Sequence, residues 1–231
     1  MLSDNLQKVQ DNIAAACNRA GRDPSDVTLV AVSKTKPVEL LMEAYEAGQR
    51  VFGENKVQEI LEKCGRMPSD VRWHMIGHLQ RNKVRQVIGH VEMIHSVDSL
   101  RLAETIEQEA AKIGRKIPVL IEVNVAEEDS KFGVTLDQAV PLIDQVSRMA
   151  HIDVRGLMTI APFVDDPEKN RPVFRKLYKL GVDILEKNMN NVTMGVLSMG
   201  MTNDYVVAVE EGATMVRVGT GIFGERFYGS M

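Results

Sequence analysis

The sequence predicts a (β/α)8 barrel preceded by one extra helix. Three observations lead there. Short β-branched runs alternate with amphipathic stretches, which marks a parallel α/β sheet. Eight such runs fit within about 200 residues, the usual scale of one barrel. No linker, low-complexity tract or Pro/Gly/Ser-rich boundary interrupts them, so residues 1–231 read as one domain. A doubly wound open sheet is the alternative for the same alternation.

The elements follow in order. Leu6, Val9, Ile13 and Ala16 recur at helical spacing over residues 3–20, and Gly21 stops that helix. "VTLVAVSK" is the first strand, followed by "PVELLMEAYEAG", a helix with Pro37 in its first turn and Gly48 at its end. "RVFG" and "VRWHMIG" are strands two and three, followed by the helices "ENKVQEILEKC" and "LQRNKVRQVI". "VEMIHSV" is strand four, after which Asp98 or Ser99 caps "SLRLAETIEQEAAKIG". "IPVLIEVNV" is strand five, and "TLDQAVPLIDQVSRM" reads as a helix despite Pro141. Strand six is "IDVRGLMTIA", followed by a long helix, "PEKNRPVFRKLYKLGVDILEKN". "TMGVLSMG", "NDYVVAVEEG" and "ATMVRVG" complete the series as strand, helix and strand.

Bulk properties narrow the function. Hydrophobic residues make up 44% and charged residues 26%, an ordinary globular balance. A net charge of −4 provides no general basic field for nucleic acid or an anionic membrane. Cys17 and Cys64 form no C-x-x-C, disulfide framework or zinc pattern. The N-terminus lacks the basic start and apolar core of a secretory signal. No stretch reaches the roughly 20 apolar residues that span a bilayer. The expectation is a cytoplasmic protein.

In a barrel, chemistry gathers at the C-terminal ends of the strands. Gly219-Thr220-Gly221-Ile222-Phe223-Gly224 is a literal G-x-G-x-x-G, but no βαβ unit follows it, which excludes a dinucleotide fingerprint. With "LSMGMTND" after strand seven, it reads either as a phosphate site built by the last two loops or as two tight turns without a ligand. Lys34 directly follows strand one. It is either paired with a carboxylate or, with burial lowering its pKa, a Schiff-base amine. Lys36 reads as more exposed. Arg217 lies among Met215, Val216 and Val218 in a strand that should be buried, which is costly unless its hydrogen bonds are accepted. Its partner is Glu122, Glu54 or a ligand atom. His74 and His78 make an H-x-x-x-H without the helix that zinc would need, so no metal is expected. Arg81, Lys83 and Arg85 read as a solvated helix face, and Lys131 as a loop lysine. A strand-one lysine, a strand-eight arginine and phosphate loops together match the needs of pyridoxal 5'-phosphate.

At this point "LVAVSKTKP", "GQRVFGENKVQE", "WHMIGHLQRNK", "RGLMTIAP", "LSMGMTND" and "MVRVGTGIFGER" resemble the pyridoxal phosphate homeostasis proteins, also called proline synthase co-transcribed homologues. These are single-barrel relatives of the N-terminal domain of alanine racemase, with the fold-type III cofactor-binding barrel. The resemblance covers nearly the whole chain, in order. It implies an internal aldimine at Lys34, Arg217 at the pyridine nitrogen, and Ser198, Gly200, Gly219 and Thr220 around the phosphate. Asn55 lies near the ring by the same resemblance, and Met158 and His74 line the pocket. Thr202 stands where the family commonly has serine, and Gly221 where it commonly has alanine.

An arginine donates to the ring nitrogen and keeps it unprotonated, which makes the cofactor a weaker electron sink, but alanine racemase shares this arrangement, so the arginine alone does not exclude catalysis. In the racemase relatives, a tyrosine from an additional domain of a partner subunit supplies a second acid-base group. No such domain is expected here, and Tyr45, Tyr178, Tyr205 and Tyr228 offer no replacement. The reading is a monomeric carrier that holds pyridoxal phosphate without turnover and has cofactor-dependent apo-enzymes as recipients. A racemase-like amino acid enzyme is the alternative, and a phosphate-sugar-binding barrel is a third reading.

Overall fold

A computed structural model describes residues 1–128 and 131–225. The strands β1 (Thr28–Val32), β2 (Val51–Glu54), β3 (Arg72–Met75), β4 (Met93–Val97), β5 (Ile117–Glu122), β6 (Ile152–Met158), β7 (Val192–Met201) and β8 (Met215–Val218) are parallel and close in sequence order. Closure is made by β8 on β1, with Thr28 opposite Met215 and Val30 opposite Arg217. The barrel, not the open sheet, is the architecture.

The helices are α1 (Leu2–Arg19), α2 (Val38–Glu46), α3 (Val57–Cys64), α4 (Val84–Val87), α5 (Leu100–Lys112), α6 (Leu136–Val146), α7 (Arg171–Leu185), α8 (Tyr205–Glu210) and α9 (Thr220–Phe223). The expected stripe of α1 is buried, with Cys17 added, and packs against α8 and α9. Arg22, just past α1, donates through Nη1 to the carbonyls of Val209 and Ala213 at 2.8 and 2.9 Å, which fixes the extra helix to the end of α8. Ser99 caps α5 by accepting the Leu102 N–H. Two helices are shorter than their periodicity predicts. "LQRNKVRQVI" becomes a 3-10 turn and the four residues of α4, and the first turn of the long helix is 3-10 over Pro167–Asn170, with Pro172 in the first turn of α7. Alpha-helix nuclei are costly, and both segments carry polar residues that turns accept equally well.

Most buried apolar side chains fill the layer between helices and strands. A smaller cluster of Val30, Val51, Met93, Leu120, Met158 and Met215, with Val196, contributes one side chain from each of seven strands and fills the barrel interior. Side chains alternate faces along a strand. His95 therefore shares the inward face of Met93, Ser198 that of Val196, Arg217 that of Met215 and Glu122 that of Leu120. The interior thus changes from apolar to polar toward its C-terminal mouth.

Candidate functional site

β1 ends at Val32, and the next residues form a sharp turn carrying Lys34, which is half-buried. Thr35 adopts φ +62°, a left-handed conformation that disfavours a β-branched residue. Its N–H donates to Glu59 Oε2 at 2.6 Å, which holds the turn in place. Beneath it, Lys63 of α3 is buried and donates to Ser33 O at 2.9 Å, Glu54 Oε1 at 2.7 Å and Glu59 Oε2 at 2.8 Å. Ser33 Oγ donates to the same Glu54 oxygen at 2.6 Å. Glu54 is wholly buried and its second oxygen has no hydrogen-bond partner; burial pushes its pKa up to about 7. Glu54 is thus the partner of Lys63, not of Arg217.

Lys36 lies on the other side of the turn. Its ammonium donates to the carbonyls of Phe223, Gly224 and Glu225 at 3.0–3.2 Å, so it joins the Lys34 turn to the end of α9. Read as an exposed lysine, it is a half-buried clamp.

At the end of β7, Gly200 has φ +91°, and a Cβ there would lie 2.5 Å from the Ala208 Cβ. Only glycine lets the loop pass this close to α8. Asp204 holds the same loop by accepting the Met201 N–H at 2.7 Å and an Asn170 amide N–H at 2.8 Å. The Thr202 hydroxyl then receives the N–H groups of Gly219 at 3.3 Å and Gly221 at 3.4 Å, and lies 3.2 Å from the Thr220 hydroxyl. Both glycine-rich loops therefore converge on one point, with Thr202 at its centre. Thr202 also explains Gly221: a Cβ there would lie 3.3 Å from the Thr202 methyl and 2.9 Å from Val218 Cγ1.

Arg217 is buried just below. Nη1 donates to Ser198 Oγ at 2.6 Å and Nη2 to Thr159 O at 2.9 Å. Both acceptors are neutral, and among the described residues no carboxylate lies within 4.0 Å of the guanidinium. Burial lowers its pKa to about 10, with Glu122 and Asp204 opposing the shift, so it stays cationic near neutrality. The Ser198 hydroxyl is occupied by Arg217 and by His95 Nδ1 at 3.0 Å, which leaves the Thr202 and Thr220 hydroxyls at the loop convergence. Glu122, at the end of β5, is pushed to about 7 by burial and by nearby Asp98, while Arg217 pulls it down.

Met158 closes the interior beneath the mouth, fully buried. Asn55 lies in the bend after β2, and Gly77 packs on it so closely that a Cβ would meet the Asn55 carbonyl oxygen at 2.5 Å. His74 is inside the barrel, whereas His78 stacks on Phe132 with ring centroids 3.9 Å apart, so the two do not converge. Among the described residues no cluster of three His, Cys, Asp or Glu could hold a metal. Of the expected solvated face, Arg81 and Arg85 are exposed and Lys83 is half-buried. Lys131 pairs with Glu128 and donates to Ile160 O at 3.3 Å. Tyr45 donates to Asp70, Tyr178 is exposed on α7, and the Tyr205 hydroxyl accepts from Asn12; Tyr228 lies outside the described residues. No helix among the described residues is long and apolar enough to cross a membrane.

The family described as alanine racemase, N-terminal domain, matches residues 5–227. A pyridoxal phosphate homeostasis protein of Aquifex aeolicus is 45% identical over 226 residues, covering 97% of this chain and 98% of the relative. The Escherichia coli K12 protein of that name is 38% identical, with 98% and 97% covered. The solved structure of PipY from Synechococcus elongatus with pyridoxal phosphate bound superposes with a TM-score of 0.83 at 34% identity, covering 97% of this chain and all of that one. A Clostridium difficile alanine racemase shares the fold at a TM-score of 0.74 and 18% identity; the match spans 97% of this chain and 57% of the racemase.

Proposed function

The chain belongs to the pyridoxal phosphate homeostasis protein family, on the fold of the alanine racemase N-terminal domain, and from that premise we propose that it binds pyridoxal 5'-phosphate at the barrel mouth and serves intracellular balance of that cofactor. Arg217 carries the reading. Among the described residues a buried guanidinium with five N–H donors meets two neutral protein oxygens, which leaves donors for a neutral ring nitrogen. The residues around it fit the rest of the molecule. Lys34 supplies the amine: its nitrogen adds to the aldehyde carbon, and water leaves as the C=N bond forms. Gly200, Gly219 and Thr220 would hold the phosphate where the two loops meet, around the Thr202 hydroxyl that gathers the Gly219 and Gly221 N–H groups and lies beside the Thr220 hydroxyl. Asn55 and Met158 line the ring, and the backbone around Ser198 completes the wall. When bound, the cofactor supplies an electrophilic aldehyde; this chain's residues hold it, shield it and keep its ring nitrogen an acceptor.

Holding rather than turnover is favoured by the positions of Tyr45, Tyr178 and Tyr205, none of which reaches the mouth. Cofactor-dependent apo-enzymes are the proposed recipients, and the cytoplasm the proposed compartment. One observation favours turnover of an amino acid instead: Glu122, a buried carboxylate at the mouth with a pKa near 7, could exchange a proton there.

The test is the absorption spectrum of the purified protein with added pyridoxal phosphate, followed by desalting. Wild type keeps a visible band, and Lys34→Ala loses it. A Lys34→Ala protein that keeps the band overturns the lysine assignment. A wild-type protein that stays colourless overturns the cofactor. Sustained change in the chirality of an added amino acid, abolished by Lys34→Ala, replaces the carrier reading with the enzyme.

A further inference from the structure

Below Arg217 a file of three polar side chains threads the otherwise apolar barrel interior. Ser198 Oγ is 3.0 Å from His95 Nδ1, and His95 Nε2 is 2.9 Å from His74 Nδ1. His74 Nε2 lies 3.9 Å from Glu92 Oε1 at the opposite end of the barrel. Ser198, His95 and His74 are all buried.

The direction of every bond in this file follows from its first member. A guanidinium can only donate, so Ser198 Oγ accepts from Arg217. Among the described residues the buried serine proton has one acceptor, His95 Nδ1; an Nδ1–H aimed at the oxygen's second lone pair would leave that proton unsatisfied, so His95 Nδ1 accepts it. A neutral His95 with a bare Nδ1 carries its proton on Nε2 and donates it to His74 Nδ1. His74 in turn carries its proton on Nε2, which is buried with no hydrogen-bond partner among the described residues and has Glu92 Oε1 as a nearby charge at 3.9 Å. Both rings are neutral Nε2–H tautomers, and both bonds run away from the cation.

We infer that His95 is a positioning residue for Arg217: through Ser198 it fixes the direction of the hydrogen bond that holds the guanidinium, and His74 locks the His95 tautomer from below. The inference rests on the proposal that Arg217 faces the ring nitrogen of pyridoxal phosphate. It adds a device for keeping that donor in one orientation without a carboxylate. A carboxylate would pair with the cation and occupy its N–H groups, whereas a neutral serine accepts one bond and leaves the rest.

The arrangement fails if either ring gains a proton. A doubly protonated His95 would aim Nδ1–H at a serine oxygen already receiving Arg217, and the serine proton would lose its acceptor. A doubly protonated His74 would set two donors against each other at 2.9 Å. The surroundings oppose both events. His95 faces Arg217 from β8 and His74 from β3, and burial holds its pKa well below the ordinary histidine value. His74 faces Arg72 of its own strand and Glu92 before β4; burial lowers it, and Glu92 opposes without reversing the shift. Arg217 is faced in addition by Glu122 and Asp204.

Nitrogen-15 NMR of the cofactor-free protein tests the file directly. His74 and His95 should both appear as neutral Nε2–H tautomers from about pH 6 to about pH 8. An Nδ1–H tautomer at either ring, or titration of either within that range, overturns the proposal whether or not the cofactor binds. Binding of pyridoxal phosphate is the second arm. Ser198→Ala and His95→Leu should each weaken it by roughly tenfold and shift the absorption of the bound form, and the double variant should be no weaker than the worse single one. Gln can accept and donate in the same directions, so His95→Gln should regain most of the affinity, and it stands in where the leucine variant does not fold. Multiplicative losses, or wild-type binding and spectrum in both His95 variants, reduce the histidines to core packing. A wild-type protein that binds no pyridoxal phosphate defeats the functional proposal and leaves the file to the NMR result.

Discussion

Lys63→Met should destabilise the protein severely, and in a way that depends on pH. The ammonium is almost shielded from water and makes three charge-assisted or carbonyl hydrogen bonds at 2.7–2.9 Å. Methionine matches the length of the stem but makes none of them. Glu54 then keeps only the Ser33 hydroxyl, with its second oxygen already unpartnered. Breaking a buried pair from one side costs about 3–5 kcal/mol. In a protein of this size each kcal/mol moves the melting point by about 2–4 °C, so a drop on the order of 10 °C is expected.

The sign of the pH effect follows from Glu54. Its folded pKa of about 7 lies above the ordinary glutamate value of 4.5, so the folded chain binds more protons than the unfolded chain between these values. Its contribution therefore becomes less favourable as pH rises through that window. Without Lys63 the carboxylate is harder still to ionise, so the deficit of the variant should be small near pH 5 and largest near pH 8. Urea denaturation followed by circular dichroism at both pH values measures it. Glu54→Gln added to Lys63→Met removes the stranded charge and should restore much of the loss. A deficit below about 1 kcal/mol at pH 8, or an equal deficit at both values, refutes the argument that the cluster is a desolvated ion pair.

Three further outcomes are expected. Gly77→Ala should cost about 1–3 kcal/mol in denaturation and weaken pyridoxal phosphate binding, because its Cβ would lie 2.5 Å from the Asn55 carbonyl oxygen and push the β2–α3 bend. Gly221→Ala alone should crowd the Thr202 methyl and Val218, while Thr202→Ser added to it should relieve the first contact; a coupling of about 0.5–1.5 kcal/mol in a double-mutant cycle would report the pair, and strict additivity would remove it. Lys36→Met should raise hydrogen exchange at residues 221–224 and lower cofactor affinity, since three carbonyls lose a shared donor; unchanged exchange would show that α9 does not depend on the clamp.

What sequence could and could not reveal divides along one physical line. Strand periodicity, glycine stops and the Ser99 cap are local, and they carried the barrel, its order and the mouth. Lys34, Arg217 and the paired loops after β7 and β8 followed from position alone. The Lys63 cluster did not, because a lysine on an amphipathic helix reads as solvated until its partners are known, and besides Glu59 of the same helix these come from the ends of β1 and β2. His95 was within reach: it stands two residues after Met93, so alternation places it inward. Its purpose lay beyond reach, because Ser198 is 103 residues away. Thr202 stood out as a departure from the family's serine, but its central place needed the geometry of two loops at once.

The interior chemistry bears on how an arginine suits the proposed holding role. Lysine buried at position 217 would tend to lose its proton, as desolvation drives an ammonium pKa far down. Arginine falls only to about 10 and remains a donor. That persistence keeps any ring nitrogen facing it an acceptor, which restrains the electron withdrawal on which amino acid chemistry depends. The neutral acceptors Ser198 and Thr159 then satisfy part of the cation without quenching it. A carboxylate in place of Ser198 would be better for the stability of Arg217 and worse for its availability. The same substitution supplies a check: Ser198→Asp should pair with Arg217 and reduce affinity for pyridoxal phosphate, even where denaturation shows the fold no less stable. Unchanged affinity in a folded Ser198→Asp protein would mean that the guanidinium's spare donors are not what the cofactor meets.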